Sequence, residues 1–330
     1  MKFRTELIIS EKRELISPDT QIFLSGSCFA DNISSRLVKF HFNALGNPFG
    51  VLFNTASIYN LFKIVRSGTD LSYTDLVFNM DEWHSFYHNS EFSDISPERV
   101  IEKTNNSIAS TRDFLLNSDM IILTFGTSFV FEYKESGMAV SNCHKIPQNK
   151  FEKKFLSVEN NIKYIQDSLD IIGDTAPKAE VVLTVSPIRH LKNGLHGSQL
   201  SKASLLLAVD EIVRRNKNVS YFPSYELLLD DLRDYRFFAA DLAHPSEEAV
   251  EYIWEKFTEA FFTHGAKEFL IDVQKLISAA EHKPRGASSP IYAAFLKTQL
   301  QNIEQLREKY PFADFSKEEE MFGSRLAQIS

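Results

Sequence analysis

Three residues in this 330-residue chain have the types and surroundings needed for nucleophilic catalysis. Cys28 follows Gln21-Ile22-Phe23-Leu24-Ser25-Gly26-Ser27, an apolar run that ends in small polar residues before helical spacing begins at Phe29. That pattern predicts a buried strand, a tight turn and a helix start. A side chain at such a turn stands at the carboxyl end of the strand, where open α/β sheets place ligands. Unpaired N–H groups and the dipole at a helix start favour a thiolate, so Cys28 is expected to titrate below an ordinary thiol. The plainer alternative is a small buried hydrophobe, the commoner fate of a free cysteine. Asp241-Leu242-Ala243-His244 supplies the other half of the chemistry. A carboxylate three residues before an imidazole can accept from one ring nitrogen and fix the tautomer, leaving the other to deprotonate a nucleophile. Alone the pair is a weak signal, because Asp241 also suits a helix cap with His244 on the surface.

Other polar candidates are spread along the chain. His84 falls in an irregular aromatic stretch with Trp83, Phe86, Tyr87 and His88, and Asn142 and His144 follow an expected hairpin. Arg189 and His190 lie in a polar loop after an expected strand. Arg189 can hold a carboxylate or phosphate through two hydrogen bonds. Trp83, Phe86 and Tyr87 suit stacking on a sugar, or a small core of their own. Cys143 and His144 are adjacent, a spacing that rarely serves one ion, so no metal site is expected.

The elements that must position these residues alternate between strand and helix. Continuous apolar runs at 22–24, 120–125, 181–185 and 219–222, with a short strand at His41–Ala44, read as about five strands. Helical periods are expected at 29–40, 57–65, 98–116, 152–172, 200–216 and after Ser246. Apolar strands joined by helices mean a parallel sheet covered on both faces. The expected fold is a three-layer α/β/α sandwich with a flavodoxin-like sheet of about five strands. Residues 68–96 read as an insertion over one end of the sheet, and 128–142 as a hairpin turning at Glu135-Ser136-Gly137. The main domain is expected to span 1–262. A C-terminal helical extension, 263–330, holds two charged helices and a linker around Lys283 to Pro290.

A hydrophobic share of 43% and a charged share of 24% are those of an ordinary globular protein. The net charge of -8 argues against nucleic acid or anionic membranes as partners. No apolar run approaches spanning length, and the first residues do not resemble a signal peptide. With two cysteines and no disulfide framework, a cytoplasmic location is expected.

Leu24-Ser25-Gly26-Ser27-Cys28-Phe29-Ala30 resembles the signature of the GSCFA-domain family, an uncharacterised bacterial group of the SGNH/GDSL-type hydrolase superfamily. The likeness continues through Trp83-His84-Ser85-Phe86, Asn142-Cys143-His144-Lys145, Thr184-Val185-Ser186-Pro187-Ile188-Arg189-His190, Tyr221-Phe222-Pro223-Ser224-Tyr225-Glu226 and Asp241-Leu242-Ala243-His244-Pro245. It covers roughly residues 20–260. The resemblance implies that Cys28 stands where the superfamily has its nucleophilic serine, with Ser27 the alternative if the alignment shifts by one. Asp241 and His244 fill the Asp-x-x-His motif. The glycine of the oxyanion site falls on Gly50, with Gly46 close by, and Ser128 stands where the superfamily has an oxyanion-binding asparagine. Loss of one oxyanion donor costs on the order of 10²–10³ in rate, so Ser128, the Gly50 N–H or Asn142 is expected to compensate.

The implied function is an esterase acting on acyl, foremost acetyl, esters of a carbohydrate or small metabolite. Its catalytic set is Cys28, His244 and Asp241, and its substrate-binding set is Trp83, His84, Asn142, His144, Arg189 and His190. No cofactor is expected. An acyltransferase would use the same nucleophile with acyl-CoA as donor, and a carbohydrate-binding or scaffold protein is the third possibility.

Overall fold

Five parallel strands carry the candidate catalytic residues on the loops at their carboxyl ends. The computed structural model describes residues 4–9, 13–282 and 290–329. In chain order the first half runs β1 (Ile22–Gly26), α1 (Cys28–Lys39), β2 (Ala44–Gly46), α2 (Thr55–Ser67), β3 (Leu76–Asn79), β4 (Glu82–Ser85), α3 (Pro97–Leu116), β5 (Met120–Phe125), β6 (Phe129–Tyr133), β7 (Met138–Ala139) and β8 (Phe151–Phe155). The second half runs α4 (Val158–Thr175), β9 (Glu180–Val185), α5 (Gly194–Arg215), β10 (Val219–Phe222), α6 (Ser224–Glu226), α7 (Glu247–Phe261), α8 (His264–Glu281), α9 (Pro290–Lys309) and α10 (Ser316–Ala327). The sheet order is β10-β9-β5-β1-β2, with every pair parallel.

Side-chain alternation along the strands builds the three layers. Ile22 and Leu24 of β1 face a core shared with Leu37 of α1 and Ile253, Trp254 and Phe257 of α7. Phe23, between them, faces the opposite core with Leu61 of α2, Ile108 of α3, Ile165 of α4 and Leu205 of α5. The result is an α/β/α sandwich with a flavodoxin-like five-stranded sheet. Phe269 and Val273 of α8, Leu296 of α9 and Phe322 of α10 extend the first core. Among the described residues the tail therefore holds three helices rather than the two expected. The expected linker falls mostly on 283–289, outside the described residues.

Two departures from the expected elements have local causes. Residues 41–43 end α1 instead of forming a strand: His41 is left-handed at φ 60°, Phe42 N–H donates to Leu37 O, and β2 starts at Ala44. Residues 151–155 form a strand against β6 where a helix was expected, and α4 begins after the Ser157 cap. The Glu152-Lys153-Lys154 run has the polarity of a helix start, but it forms the outer strand of a small sheet, β7-β6-β8. Within 68–96, β3 and β4 form a hairpin around Met80 and Asp81, both left-handed; aspartate suits such a turn and methionine does not.

Candidate active site

Gly26 shapes the turn that presents Cys28. Its φ is 144°, and a Cβ there would stand 2.1 Å from Thr124 O, so a side chain is excluded by conformation and by space. The turn is held from two sides. Gly26 N–H donates to Asn47 Oδ1 at 2.7 Å, Ser27 N–H to Thr124 O at 3.0 Å, and Leu52 N–H to Gly26 O at 2.8 Å. Ser27 is buried and caps α1, its hydroxyl accepting Phe29 N–H at 3.3 Å. Cys28 is therefore the first residue of the helix and stands half-buried at the strand end.

His244 reaches this turn from the loop before α7. Its Nε2 lies 3.7 Å from Cys28 Sγ, and its Nδ1 lies 2.5 Å from Asp241 Oδ2. The other carboxylate oxygen of Asp241 accepts the N–H groups of His244 and Ala243, each at 3.0 Å. These donors hold the Asp241 carboxyl well below the usual range, so it stays ionised and keeps the Nδ1–H tautomer of its partner. The pair is open to solvent, with the His244 and Asp241 side chains 50% and 51% exposed. Ser27 faces the cap and Cys28 faces the imidazole.

The thiol departs from expectation. Burial pushes the Cys28 pKa up, and Asp31 and Asp241 push the same way, against its own N–H and Lys202. The helix start favours the thiolate, but desolvation outweighs it.

Lys202, on α5, is the residue that sequence reasoning missed. It is 2% exposed, and its Nζ donates to Ser186 O at 2.6 Å. Burial lowers its pKa to about 7, opposed by attraction to Cys28. A signal was available, because Lys202 falls on the buried stripe of α5 with Ser198, Leu205, Val209 and Ile212. A charge on a buried stripe is uncommon enough to flag.

The two expected oxyanion donors are engaged elsewhere. Gly50 N–H closes a turn onto Asn47 O at 2.7 Å. The Ser128 hydroxyl is fully buried, donating to Ser201 O at 3.0 Å and accepting from Asn161 Nδ2 at 3.1 Å. Neither has a proton to offer a ligand. Gly46 lies in β2, paired with Leu24.

The expected substrate-binding residues divide into two groups. Arg189 and His190 join the site: Arg189 N–H donates to Ala243 O at 3.1 Å, and its guanidinium lies over the Phe238 ring. Trp83, His84, Asn142 and His144 belong to the insertion and hairpin. Trp83 packs on Tyr73 and Phe78. The buried His84 pairs with Ser93 Oγ and Asn79 O and stacks on His144, whose Nε2 meets Ser85 O at 2.9 Å. Asn142 Oδ1 accepts His144 N–H. These contacts tie one segment of the insertion and hairpin to another. Among the described residues no three His, Cys, Asp or Glu side chains converge as metal ligands.

The parallel α/β/α sandwich thus brings a thiol, an imidazole and a carboxylate into series at its strand ends. The chain belongs to the GSCFA family, whose model matches residues 21–257, and a model for the GSCFA domain protein C-terminal domain matches residues 273–328. No curated protein matches the sequence. Among solved structures, the chain is similar to a carbohydrate esterase family 3 protein from Talaromyces cellulolyticus. That match has 9% identity and a TM-score of 0.31, and covers 78% of this chain and 99% of the other. It is also similar to the acetyl xylan esterase Est2A from Butyrivibrio proteoclasticus, at 12% identity and a TM-score of 0.35, covering 80% of this chain and 65% of that one. Among the described residues no helix is long and apolar enough to cross a membrane.

Proposed function

We propose that this protein is an ester hydrolase in which Cys28 is the nucleophile, His244 the general base and acid, and Asp241 the residue that orients His244. The observation that carries the reading is the unbroken series from Cys28 Sγ to His244 Nε2 to Asp241 Oδ2. Because burial raises its pKa, Cys28 rests as a thiol at neutral pH, and His244 takes the proton as sulfur attacks. The Sγ–C bond forms and the carbonyl π pair moves onto oxygen, beside the Cys28 N–H at the start of α1. When that pair returns, the C–O bond to the alcohol breaks and the departing oxygen takes the proton from His244. Water, deprotonated by His244, then attacks the thioester, the C–S bond breaks, and the thiol recovers its proton as the carboxylic acid leaves.

The exposure of His244 and Asp241 suits an acyl group, acetyl foremost, carried on a carbohydrate or another metabolite that remains outside the protein. p-Nitrophenyl acetate is the first probe. Cys28→Ala and His244→Ala should each lose about 10⁴-fold or more in kcat, the scale seen when members of a catalytic triad are removed. Hydrolysis by both variants at the wild-type rate contradicts the reading.

The sulfur itself favours a second reading. A thioester on Cys28 exchanges with acyl-CoA at little cost in free energy, so the same residues suit transfer from acyl-CoA to an alcohol. Acetyl-CoA that acylates Cys28 faster than p-nitrophenyl acetate does, with product forming only when an alcohol acceptor is added, would select transfer over hydrolysis.

A further inference from the structure

Replacing the motif asparagine by the committed Ser128 leaves the oxyanion short of a donor, and the end of another strand carries a ring nitrogen without a partner. His190 lies in the loop after β9, one residue beyond Arg189, whose N–H is bonded to the loop bearing His244. Its ring meets the Phe53 ring edge-on at a centroid distance of 5.2 Å. Phe53 O in turn accepts Gly126 N–H at 2.8 Å and Thr127 N–H at 2.9 Å, and Leu52 holds the Gly26 turn. His190 Nε2 is buried without a hydrogen-bond partner. It lies 2.9 Å from where a Cβ on Gly126 would stand, above the end of β5 and in the place that a larger residue would fill.

We propose that His190 Nε2–H is the oxyanion donor that stands in for the asparagine of the superfamily. The proposal rests on the hydrolase reading above and adds a catalytic residue to it. The proposal requires the tautomer with its proton on Nε2; that buried N–H without a partner carries a desolvation cost that a developing oxyanion relieves, which is how a donor binds the transition state more tightly than the ground state. The imidazole is also in the right charge state. Burial foremost, then the charges of Lys202, His244 and Lys192, lowers the His190 pKa to about 4, so at neutral pH it is an uncharged donor that does not compete with His244 for protons. His88 and His144 also keep one ring nitrogen without a partner, but each bonds Ser85 through the other and lies in the aromatic packing of the insertion.

The test uses the full chain and p-nitrophenyl acetate. His190→Phe keeps the ring against Phe53 and removes the donor. It should lower kcat by about 10²–10³ with KM little changed, the loss expected for one oxyanion donor. His190→Gln should recover part of the loss. Gly126→Ala, whose methyl would crowd Nε2, should lower kcat while His190 is intact. Iodoacetamide labelling of Cys28 involves no oxyanion, so its rate and pH profile should match wild type in all three variants and report an intact nucleophile. If the wild type hydrolyses the ester through Cys28 while His190→Phe keeps full kcat, this inference fails and the hydrolase reading stands. If Cys28→Ala is as active as wild type, the hydrolase reading fails and this inference falls with it.

Discussion

Two parts of the molecule collect histidine, and they use it in opposite ways. In the insertion and hairpin, His84, His88 and His144 each bond to a nearby hydroxyl or carbonyl and pack against aromatic rings. At the strand ends, His244 is half exposed with one nitrogen directed at a thiol, and His190 makes no protein hydrogen bond through its buried Nε2. Residue type does not separate these two settings. What separates them is whether a nitrogen beside the reactive group is left for something outside the protein.

That contrast predicts a ranking of effects. Asp241→Asn removes the acceptor that sets the His244 tautomer, and kcat for p-nitrophenyl acetate should fall by on the order of 10³–10⁴ with Tm nearly unchanged. Lys202→Met should separate reactivity from stability. The ammonium lowers the Cys28 pKa, so its loss should slow alkylation of Cys28 severalfold at pH 6–7, where Lys202 still carries its charge, and less at pH 8. The folded-state pKa of Lys202, about 7, lies below its unfolded value of about 10.4. At this site the unfolded chain therefore binds more protons across that window, and the contribution of Lys202 to stability rises with pH from about 7 to about 10. Lys202→Met should flatten that slope and raise Tm at pH 6.

The smallest effect on activity belongs to the insertion. Burial lowers the His88 pKa to about 3, whereas in the unfolded chain it is about 6.5. Below pH 6.5 the unfolded state takes up a proton that the folded state refuses, so stability falls as pH drops toward 3. His88→Phe should shift the acid-unfolding midpoint to lower pH and leave kcat unchanged, as circular dichroism and ester hydrolysis would show. A loss of kcat without a change in acid stability would break the division between the two regions.

Much of the scaffold was legible because it rests on local signals. Apolar runs ending in small residues marked β1, β5, β9 and β10, and Ser246 marked the start of α7. The β3–β4 hairpin carried a weaker signal, since the left-handed conformation is ordinary for Asp81 but not for Met80, and no glycine marks the turn. At the site, Cys28, Asp241 and His244 were legible from type and spacing. The commitments of Gly50 and Ser128 were not, because they depend on Asn47, Ser201 and Asn161, partners that no local pattern brings together. The thiol pKa was misread for a related reason: a helix start is visible in sequence, while the burial that overrides it is a property of the packed fold.

The central claim is that the thiol of Cys28, and not the neighbouring hydroxyl of Ser27, takes the acyl group from an ester with His244 as its base. The most direct measurement is acid-quenched mass spectrometry after millisecond mixing with p-nitrophenyl acetate, with peptide mapping of wild type and His244→Ala. One acetyl group is expected on Cys28 in wild type, formed at a rate that rises with pH, with greatly slowed acetylation in His244→Ala. Acetyl on Ser27, or equal acetylation of Cys28 with and without His244, would contradict the claim.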